Sequence, residues 1–427
     1  MAKHSIPLFA ALQSYSPSML SADIIAGLTV GIILIPQALA YGLLAGVPPI
    51  YGLYSALIPM IIYAFFGSSS FLSIGPVAVT AILMFSSVSK LHEPFTEVYI
   101  QQVILLGFYI GVFQIILSFL KVGQLIKHLP KVVLSGFVQA AAILIIISQF
   151  SNAFGIAVPG ELSALGAVWY LLNHVVEINL LTIGFFGISL IIILWVNIKN
   201  SRFPIALVIV AIAILLSYYF ELNTLGLNII GDIPRGFPAL IIPSFETSSF
   251  MKLLPSIFAV TFIGYVGSVG LVLSFEHLQK GNRIETNKEL FALGLAKLIG
   301  AFFQSIPSTG SFSRTAINVT AGAKTQISSL ISVVLLCLTI LFITPLFYYL
   351  PNAVLAAIIT HSVLSLLRSE EIKILWEENK IEFIVFTSTF ILTLLIGLEI
   401  GVVGGILLYY VLVKAVSYFV KPKKSLE

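Results

Sequence analysis

The chain has 427 residues, of which 59% are hydrophobic and only 9% are charged, and its formal net charge is +4. Soluble globular domains carry roughly 25% charged residues, so this composition excludes a water-soluble enzyme or binding domain and makes lipid the expected solvent. The small net charge gives no reason to expect a nucleic-acid partner. The single cysteine, Cys337, lies in an apolar run, which excludes a disulfide framework or a cysteine-based zinc site. The sequence therefore predicts an all-α membrane protein.

About 20 consecutive apolar residues cross the hydrocarbon core of a bilayer as a helix. The chain holds fourteen candidate segments, seven on each side of a polar stretch at 221–252. The first seven lie near 22–44, 48–67, 75–90, 99–120, 131–150, 179–198 and 204–220. The second seven lie near 254–277, 287–304, 313–323, 326–347, 351–367, 381–397 and 399–420. Two further segments, 161–176 and 368–380, are expected to lie at the membrane interface.

The distribution of basic residues tests this topology, because Lys and Arg concentrate in cytoplasmic loops. With an even number of spans and a cytoplasmic N-terminus, most of the 22 Lys and Arg residues fall on the cytoplasmic side, whereas Lys90, Arg235 and Lys252 do not. Both termini of this multi-pass protein of the cell (inner or plasma) membrane are therefore predicted to be cytoplasmic. The predicted organisation is a cytoplasmic N-terminal segment 1–21, a first seven-segment repeat 22–220, an extracellular or periplasmic connection 221–252, a second repeat 253–420 and a cytoplasmic tail 421–427.

A weak internal repeat supports the division into two halves. The sequence AFFGS at 64–68 recurs as AFFQS at 301–305, and AVTA at 78–81 is echoed by NVTA at 318–321. Because each half holds an odd number of spans, the second repeat is inverted relative to the first. Inverted repeats of this kind are typical of secondary transporters.

The third and tenth spans are too short to cross the bilayer as helices. Residues 75–90 would form about 24 Å of helix and 313–323 about 16 Å, against a hydrocarbon core of about 30 Å. Each follows a polar segment expected to be extended, SSSFLS at 68–73 and SIPSTGS at 305–311, and the pair Gly75-Pro76 is expected to start the first helix. Two half-helices are thus predicted to enter from opposite faces and to begin near the midplane, where their free N–H groups and partial positive charges would bind an anion.

Arg314 lies at the start of the second half-helix. A charged side chain at that depth costs several kcal/mol unless it is paired or hydrated, which makes Arg314 a candidate for anion binding. The alternative is that it braces the two half-helices through backbone carbonyls. Ser311, Ser313 and Thr315 are candidates both for helix capping and for contact with a ligand.

Two other titratable residues within the spans are expected to be structural. Lys297 would reach the membrane interface or pair with another group, and His361 would pack with a hydrogen bond. The sequence contains no nucleotide-binding Gly-rich loop with a lysine, no metal-spaced His/Cys cluster and no G-x-S-x-G motif. The chain is therefore predicted to be neither an enzyme nor an ATP-driven pump, and to need no cofactor or metal.

Several motifs resemble those of one transporter family. PIYGLYSA at 49–56, followed by FGSS at 66–69, resembles the long and specific signature of the sulfate permease (SulP) family. The resemblance implies secondary active transport of a small inorganic anion by alternating access, with sulfate as the first expectation. Further matches cover nearly the whole chain: IPQALAY at 35–41, GPVAV at 75–79, GSFSRT at 310–315, GAKTQ at 322–326 and PNAVLAA at 351–357.

The resemblance also implies how the spans are used. A core domain would hold the anion between spans three and ten and would move against a gate domain of spans five to seven and twelve to fourteen. Family members are commonly homodimers. Spans one and eight would line the site. The predicted substrate-binding residues are therefore Gln37, Tyr41, Gly75, Pro76, Val77, Ala78, Ser268, Ser311, Phe312, Ser313, Arg314 and Thr315.

Three departures from the family pattern bear on mechanism. The family usually adds a cytoplasmic STAS domain after the last span, whereas this chain ends at Glu427, as a truncated or a naturally short form would. The signature tends to end in a basic residue where this chain has Ser70. Proton-coupled relatives carry a glutamate in span eight where this chain has Gly267. We therefore expect that transport needs no proton carried by a span-eight carboxylate, and we favour anion exchange over sodium coupling or passive flux.

Three alternatives share this fold. The first is a sodium-coupled bicarbonate or dicarboxylate transporter, and the second is an uncoupled anion channel. The third is a nucleobase transporter, which is disfavoured because those relatives place a carboxylate at the site where this chain has Gly267 and Arg314.

Overall fold

The computed structural model describes Leu8 and residues 15–124, 130–159, 162–199, 204–243, 247–278 and 284–419. The predicted tail 421–427 lies outside the described residues, as does nearly all of the predicted N-terminal segment up to residue 14. The described part of the chain is a bundle of α-helices, as the composition predicted.

A helix coincides with every predicted span and with both predicted interfacial segments. By length and composition, eight helical stretches of the described residues are long and apolar enough to cross a membrane; the full number of crossings stays a prediction. The first half contains α1 (Pro17–Leu44), α2 (Pro49–Phe66), α3 (Ala78–Val88), α4 (Glu97–Phe119), α5 (Lys131–Ser148), α6 (Phe150–Phe154), α7 (Ala164–Asn173), α8 (Leu180–Lys199) and α9 (Ile205–Tyr219). The second half contains α10 (Thr247–Ser274), α11 (Thr286–Phe302), α12 (Phe312–Thr320), α13 (Ile327–Leu338), α14 (Asn352–Leu364), α15 (Ser369–Glu378), α16 (Lys380–Leu395) and α17 (Leu398–Phe419).

Prolines and hydroxyl side chains set where the long helices begin. α1 begins at Pro17, and the Ser16 hydroxyl caps it by accepting from the N–H of Met19 at 3.3 Å. Thr96 caps α4 in the same way, accepting from the N–H of Tyr99 at 3.3 Å. Proline is tolerated in the first turn because its missing N–H would have no partner within the helix, and a hydroxyl satisfies one of the remaining N–H groups. These boundaries depend on neighbouring residues rather than on the fold.

The helices pack in two groups. In the first group, α2 and α4 pack against α11, and α1 packs against α2 and α13; in the second, α5 and α17 pack against α16, and α8 packs against α14. Contacts between the groups include those of α1 with α14 and of α3 with α5. Glycine allows close approach at some crossings, since a Cβ on Gly52 of α2 would overlap the carbonyl oxygen of Ala38 on α1. The two groups match the core and gate sets that the family resemblance implies.

Two short helices interrupt the pattern of long ones. α3 has 11 residues and α12 has nine, or about 17 Å and about 14 Å of helix, less than a hydrocarbon core of about 30 Å. Strands β1 (Ile74–Gly75) and β2 (Thr309–Gly310) precede them and form an antiparallel ladder in which Ile74 pairs with Gly310 and Gly75 with Thr309. The sequence predicted the interruptions but not this pairing, which satisfies backbone groups that have no water to bond within lipid.

The starts of the short helices differ slightly from the prediction. The pair Gly75-Pro76 does not start α3, because the helix begins at Ala78 and Val77 is its extended N-cap residue. Gly75 belongs to β1 and has a φ of +152°, a conformation that favours glycine. The ladder includes Gly75, and the helix begins two residues after Pro76. α12 begins at Phe312, next to its predicted start.

A buried carboxylate on α11 holds the segment that leads into β1. Glu289 is fully buried, and it accepts hydrogen bonds from the Tyr63 hydroxyl at 2.7 Å and from the Ser69 N–H at 3.1 Å. The N–H and the hydroxyl of Ser68 each donate to the same carboxylate at 2.6 Å. Four donors thus fix the entry to the first short helix.

Asp23 on α1 does the same for the segment that leaves α12. Its fully buried carboxylate accepts from the N–H of Lys324 at 2.6 Å, and from the N–H and hydroxyl of Thr325 at 3.1 and 2.7 Å. The Tyr15 hydroxyl also donates to it at 2.9 Å, and burial together with the Asp23 charge raises the pKa of that phenol. Glu289 thus anchors the segment before β1, and Asp23 anchors the segment after α12.

Removing the Glu289 carboxylate should destabilise the protein. In Glu289→Ala, four hydrogen-bond donors lose their acceptor, and each buried donor left unsatisfied costs about 1–3 kcal/mol. We expect the midpoint of thermal unfolding of the detergent-purified protein, measured by size-exclusion chromatography after heating, to fall by several degrees. The control is Glu285→Ala, whose exposed carboxylate pairs with Lys288 and contributes about 0–1 kcal/mol. Equal shifts in the two variants would contradict the role assigned to Glu289.

Candidate anion-binding site

The starts of α3 and α12 lie side by side because the strands before them pair. Beyond the ladder, the N–H of Ser311 donates to the carbonyl of Ser73 at 2.9 Å, and the N–H of Ser73 donates to the Thr315 hydroxyl at 3.1 Å. The two helices thereby bring together their N-terminal ends, each equivalent to about half a positive charge. We call this region, from the ladder to the first turns of α3 and α12, the junction.

The hydroxyl groups at the start of α12 divide between two roles. Ser311 is the N-cap residue, and its Oγ accepts from the N–H of Arg314 at 3.4 Å. Thr315 accepts from the backbone before β1, so both of these hydroxyls serve the protein's own structure. Ser313 is half-buried, and its Oγ lies 3.4 Å from that of Ser311. Ser313 is therefore the hydroxyl best placed for contact with a ligand.

The start of α3 has no side-chain cap. Val77 is its N-cap residue and makes no capping hydrogen bond, while the N–H of Ala81 donates to the Val77 carbonyl at 2.9 Å. The N–H groups of the first turn, residues 78–80, have no acceptor within the helix, as at any helix start. The apolar side chains of Val77 and Ala78 offer no competing acceptor. These N–H groups are therefore suited to bind an anion.

Arg314 links the junction to α1. Its side chain is 0% exposed, the largest side chain in the described part of the chain to be fully buried. Nη1 donates to Oε1 of Gln37 at 3.1 Å and Nη2 donates to the carbonyl of Pro76 at 3.1 Å, whereas Nε has no protein partner. Both roles left open by the sequence have support, because Arg314 braces the start of α3 with two of its five N–H groups, while its charge and the N–H of Nε have no protein partner among the described residues.

The charge of Arg314 has no counter-charge among the described residues. No carboxylate there lies within 4.0 Å of the guanidinium, and the ion pairs found, Glu285 with Lys288 and Lys373 with Glu377, are exposed. A buried cation without an ionic partner costs several kcal/mol, and the two helix N-termini add to the positive potential. A bound anion would offset the charge of Arg314 and the partial positive charges of both helix N-termini.

Two neighbouring residues of α10 are relevant to the site: Ser268, whose hydroxyl has a structural role, and Gly267, which is exposed. Ser268 donates to the carbonyl of Gly264 at 2.6 Å and accepts from the N–H of Gly310 at 2.9 Å, so it fixes β2. The neighbouring Gly267 is exposed, and a Cβ there would meet no atom within 4 Å. The position that the family resemblance associates with a proton-carrying glutamate is therefore exposed, next in sequence to the serine that fixes β2.

Tyr41 and Phe312 differ from the other predicted residues in what they contact. Tyr41 is buried on α1, a helix that packs against α14 of the second helix group. Phe312 is the first residue of α12 and is 48% exposed. The structure thus places Tyr41 inside a helix that borders the second helix group and leaves Phe312 at the edge of the junction.

Sequence reasoning missed two amide side chains that hold the segment before β1. Nδ2 of Asn318 donates to the carbonyl of Phe71 at 2.9 Å, and Nε2 of Gln326 donates to the carbonyls of Ser69 and Leu72 at 2.8 and 3.1 Å. Asn318 lies one turn after the buried arginine, on the same face of α12. Gln326 ends one of the motifs that match the family. The helical spacing of Asn318 from Arg314 and the place of Gln326 in a family motif are the sequence signals that could have identified these two residues.

The site has positive charge and backbone donors rather than metal ligands. In the described ranges, no group of three or more His, Cys, Asp or Glu side chains could hold a metal ion. Discontinuous helices whose N-termini point at an anionic substrate inside a helical membrane bundle define a class of secondary transporters. The described bundle, in which the N-termini of two short helices meet at the junction, resembles that architecture.

The family follows from comparison of sequences. The profile of the Sulfate permease family matches residues 20–389, so this multi-pass membrane protein belongs to the sulfate permease family, as its motifs indicated. The family and its curated relatives are transporters and not enzymes, in agreement with the prediction. The substrate-binding residues and the domain boundaries stay predictions.

Curated relatives match most of this chain. It is 36% identical over 403 residues to probable sulfate transporter 4.2 of Arabidopsis thaliana, and the aligned region covers 90% of this chain and 57% of the relative. It is 30% identical over 437 residues to the sodium-independent sulfate anion transporter of Bos taurus, and the aligned region covers 94% of this chain and 71% of the relative. The chain thus spans a little over half the length of the Arabidopsis relative.

Solved structures share the fold. The murine Solute Carrier 26 family member A9 anion transporter, in the inward-facing state, superposes with a TM-score of 0.90 at 24% identity, covering 96% of this chain and 71% of that chain. The transmembrane domain of the cyanobacterial bicarbonate transporter BicA gives a TM-score of 0.79 at 23% identity, covering 92% of this chain and 98% of that chain. These similarities confirm the predicted fold class.

A methyl group at Gly75 should disturb the junction. A Cβ there would lie 3.1 Å from Nη2 of Arg314, and alanine would have to adopt a φ of +152°, which costs on the order of 1–3 kcal/mol. We expect Gly75→Ala to bind sulfate about tenfold more weakly, or about 1.4 kcal/mol, measured by titration of the purified protein. The control is Gly184→Ala on α8, where a Cβ would meet nothing within 4 Å. Equal affinities in the two variants would show that Gly75 does not constrain the site.

Proposed function

We propose that this protein is a secondary transporter of small inorganic anions, with sulfate as its principal substrate. One observation carries the proposal: a fully buried arginine, with no carboxylate near it in the described part of the chain, lies where the N-termini of two short helices meet. Positive charge and N–H donors at one point favour a compact anion with several oxygen atoms. The relatives named as sulfate transporters support sulfate within that class.

The anion would accept hydrogen bonds from several directions at once. The N–H groups at the start of α3, Nε of Arg314 and the Ser313 hydroxyl are among the donors that would be available to it. Gln37 and the Pro76 carbonyl hold the guanidinium in place, so the site stays preformed when the anion leaves. A preformed site costs no reorganisation on binding.

Transport requires the site to face each side of the membrane in turn. The first helix group carries the junction, and it meets the second group where α1 packs against α14 and α3 packs against α5. The first group would move as a rigid body against the second, and these contacts would change during the movement. The expected assembly is a homodimer in the cell membrane with both termini in the cytoplasm.

Uptake into proteoliposomes tests this function. Radiolabelled sulfate should enter saturably, and sulfate inside the liposomes should accelerate its entry. Bicarbonate, chloride and fumarate, offered as competitors with and without sodium, define the anion class. Flux far above about 10³ ions per second would instead indicate a channel, because conformational cycles take microseconds to milliseconds or longer. No uptake of any of these anions above that of protein-free liposomes would contradict the proposal.

Arg314→Ala should weaken anion binding without unfolding the protein. The variant removes a full charge from a desolvated site, so we expect the half-saturation concentration for sulfate to rise at least about tenfold, or about 1.4 kcal/mol. Arg314→Lys keeps the charge but loses the fork of donors, and its value should lie between. The exposed Arg235 provides the control, Arg235→Ala. If Arg314→Ala lost thermal stability but bound sulfate normally, bracing would be its whole role.

Substitution of two neighbouring serines separates ligand contact from capping. Ser313→Ala should raise the half-saturation concentration for sulfate by the loss of one neutral hydrogen bond, about 0.5–1.5 kcal/mol. Ser311→Ala removes the helix cap and should lower the free energy of unfolding by about 0.5–2 kcal/mol. Sulfate uptake and thermal unfolding, measured on both variants, give the two quantities. The reverse pattern would contradict these assignments.

A further inference from the structure

Lys297 on α11 is buried inside the first helix group, with 2% of its surface exposed. Its Nζ donates to Oε1 of Gln114 on α4 at 3.1 Å and to the carbonyl of Leu293 at 3.4 Å. Of the two structural roles expected from sequence, reaching the membrane interface or pairing with another group, the structure shows the second. Its partners are neutral oxygen atoms, and no carboxylate among the described residues lies within 4.0 Å.

Glycines enclose this side chain between two helices. A Cβ on Gly111 of α4 would lie 2.6 Å from the backbone nitrogen of Leu298, and a Cβ on Gly294 of α11 would lie 2.9 Å from the carbonyl oxygen of Gly111. Because neither helix has a side chain at this crossing, the two backbones meet directly. The crossing brings Gln114 to the lysine.

The surroundings of Lys297 are polar but uncharged. Nε2 of Gln114 donates to the carbonyl of Thr261 on α10 at 3.4 Å, and the buried Thr261 hydroxyl has no partner. The nearest carboxylate on α11, Glu289, is eight residues away, about 12 Å along the helix, and already accepts four hydrogen bonds. The other titratable side chains on α11 and on the helices packed against it are Lys288 on α11, Glu97, Tyr99 and Tyr109 on α4, Tyr51, Tyr54 and Tyr63 on α2, and Lys252 and Tyr265 on α10.

We propose that Lys297 is a proton-binding residue of the transport cycle, and that its protonation raises the affinity of the junction for the anion. This inference rests on the function proposed above. Lysine, unlike arginine, gains and loses its proton readily in buried surroundings. Neutral oxygen atoms such as Oε1 of Gln114 accept a hydrogen bond from an ammonium and from a neutral amine alike, so the site accommodates both forms.

The charge of Lys297 acts on the junction across α10. Thr261, which accepts from Gln114, lies seven residues from Ser268, which fixes β2, and this spacing is about 10 Å along the helix. Because Gln114 lies between Lys297 and Thr261, we take the ammonium and a bound anion to be about 10–15 Å apart. At an effective dielectric constant of about 20, two unit charges at that separation change a binding constant by on the order of tenfold. The ammonium attracts an anion and the neutral amine does not. Affinity should therefore rise as pH falls, and anion binding should draw a proton onto Lys297.

The test uses the full chain in detergent and sulfate, which stays ionised between mildly alkaline and mildly acidic pH. In the wild type we expect the dissociation constant for sulfate to fall about tenfold over that range. Sulfate added to a weakly buffered sample should also raise the pH reported by an indicator dye. Lys297→Gln and Lys297→Met should lose both effects and keep the weak, alkaline affinity. Lys297→Arg, with its permanent charge, should keep the tight, acidic affinity at every pH.

The control variant is Lys252→Gln, at an exposed lysine on α10, and it should behave as the wild type. A pH dependence or proton uptake that persists in the neutral variants of Lys297 would overturn the inference. So would wild-type protein that binds sulfate without taking up a proton. Failure of the wild type to bind sulfate, bicarbonate or chloride at any pH would instead contradict the proposed function.

Discussion

The need to satisfy every backbone hydrogen bond inside a bilayer is the constraint on which the rest of this structure depends. Lipid offers no partner to an N–H or C=O group, yet α3 and α12 both end after a few turns. The chain compensates by pairing β1 with β2 and by recruiting side chains: the Thr315 hydroxyl, the amides of Asn318 and Gln326, and the carboxylates of Asp23 and Glu289. Because these partners come from several helices, the junction is held from several sides, and the N–H groups left over lie at the helix starts.

The buried carboxylates and the buried cations of this interior differ in how their charges are satisfied. The two buried carboxylates are surrounded by N–H and O–H donors of the chain, so their charges are satisfied locally. The two buried cations, Arg314 and Lys297, contact only neutral oxygen atoms within the described ranges. Replacing buried charges with apolar side chains often stabilises a protein. In the proposed function, a bound anion offsets the charge of Arg314, and the charge of Lys297 adds to the affinity for that anion.

Packing within the first helix group differs from packing between the groups. Inside the first group, helix backbones meet directly at glycines such as Gly52, Gly111 and Gly294, and close-packed interiors do not deform gradually. Between the groups, the helices that meet, α1 with α14 and α3 with α5, pack less extensively than α4 with α11 or α1 with α13 inside the first group. A carrier needs this combination, because the anion site must keep its geometry while it moves relative to its surroundings.

The sequence by itself determined which segments leave water, since runs of about 20 apolar residues form spanning helices wherever they occur, and it marked Arg314 because a charge inside such a run is costly. Only the tertiary structure decided which polar atoms meet. More than two hundred residues separate Ile74 from Gly310, so no local pattern specifies their pairing or the arginine's contacts with Gln37 and Pro76. The partners of Lys297 depend likewise on how α4 crosses α11. Transfer from water to lipid is a property of each segment, whereas a hydrogen bond needs two distant groups in register, and that register is set by the packing of the whole bundle.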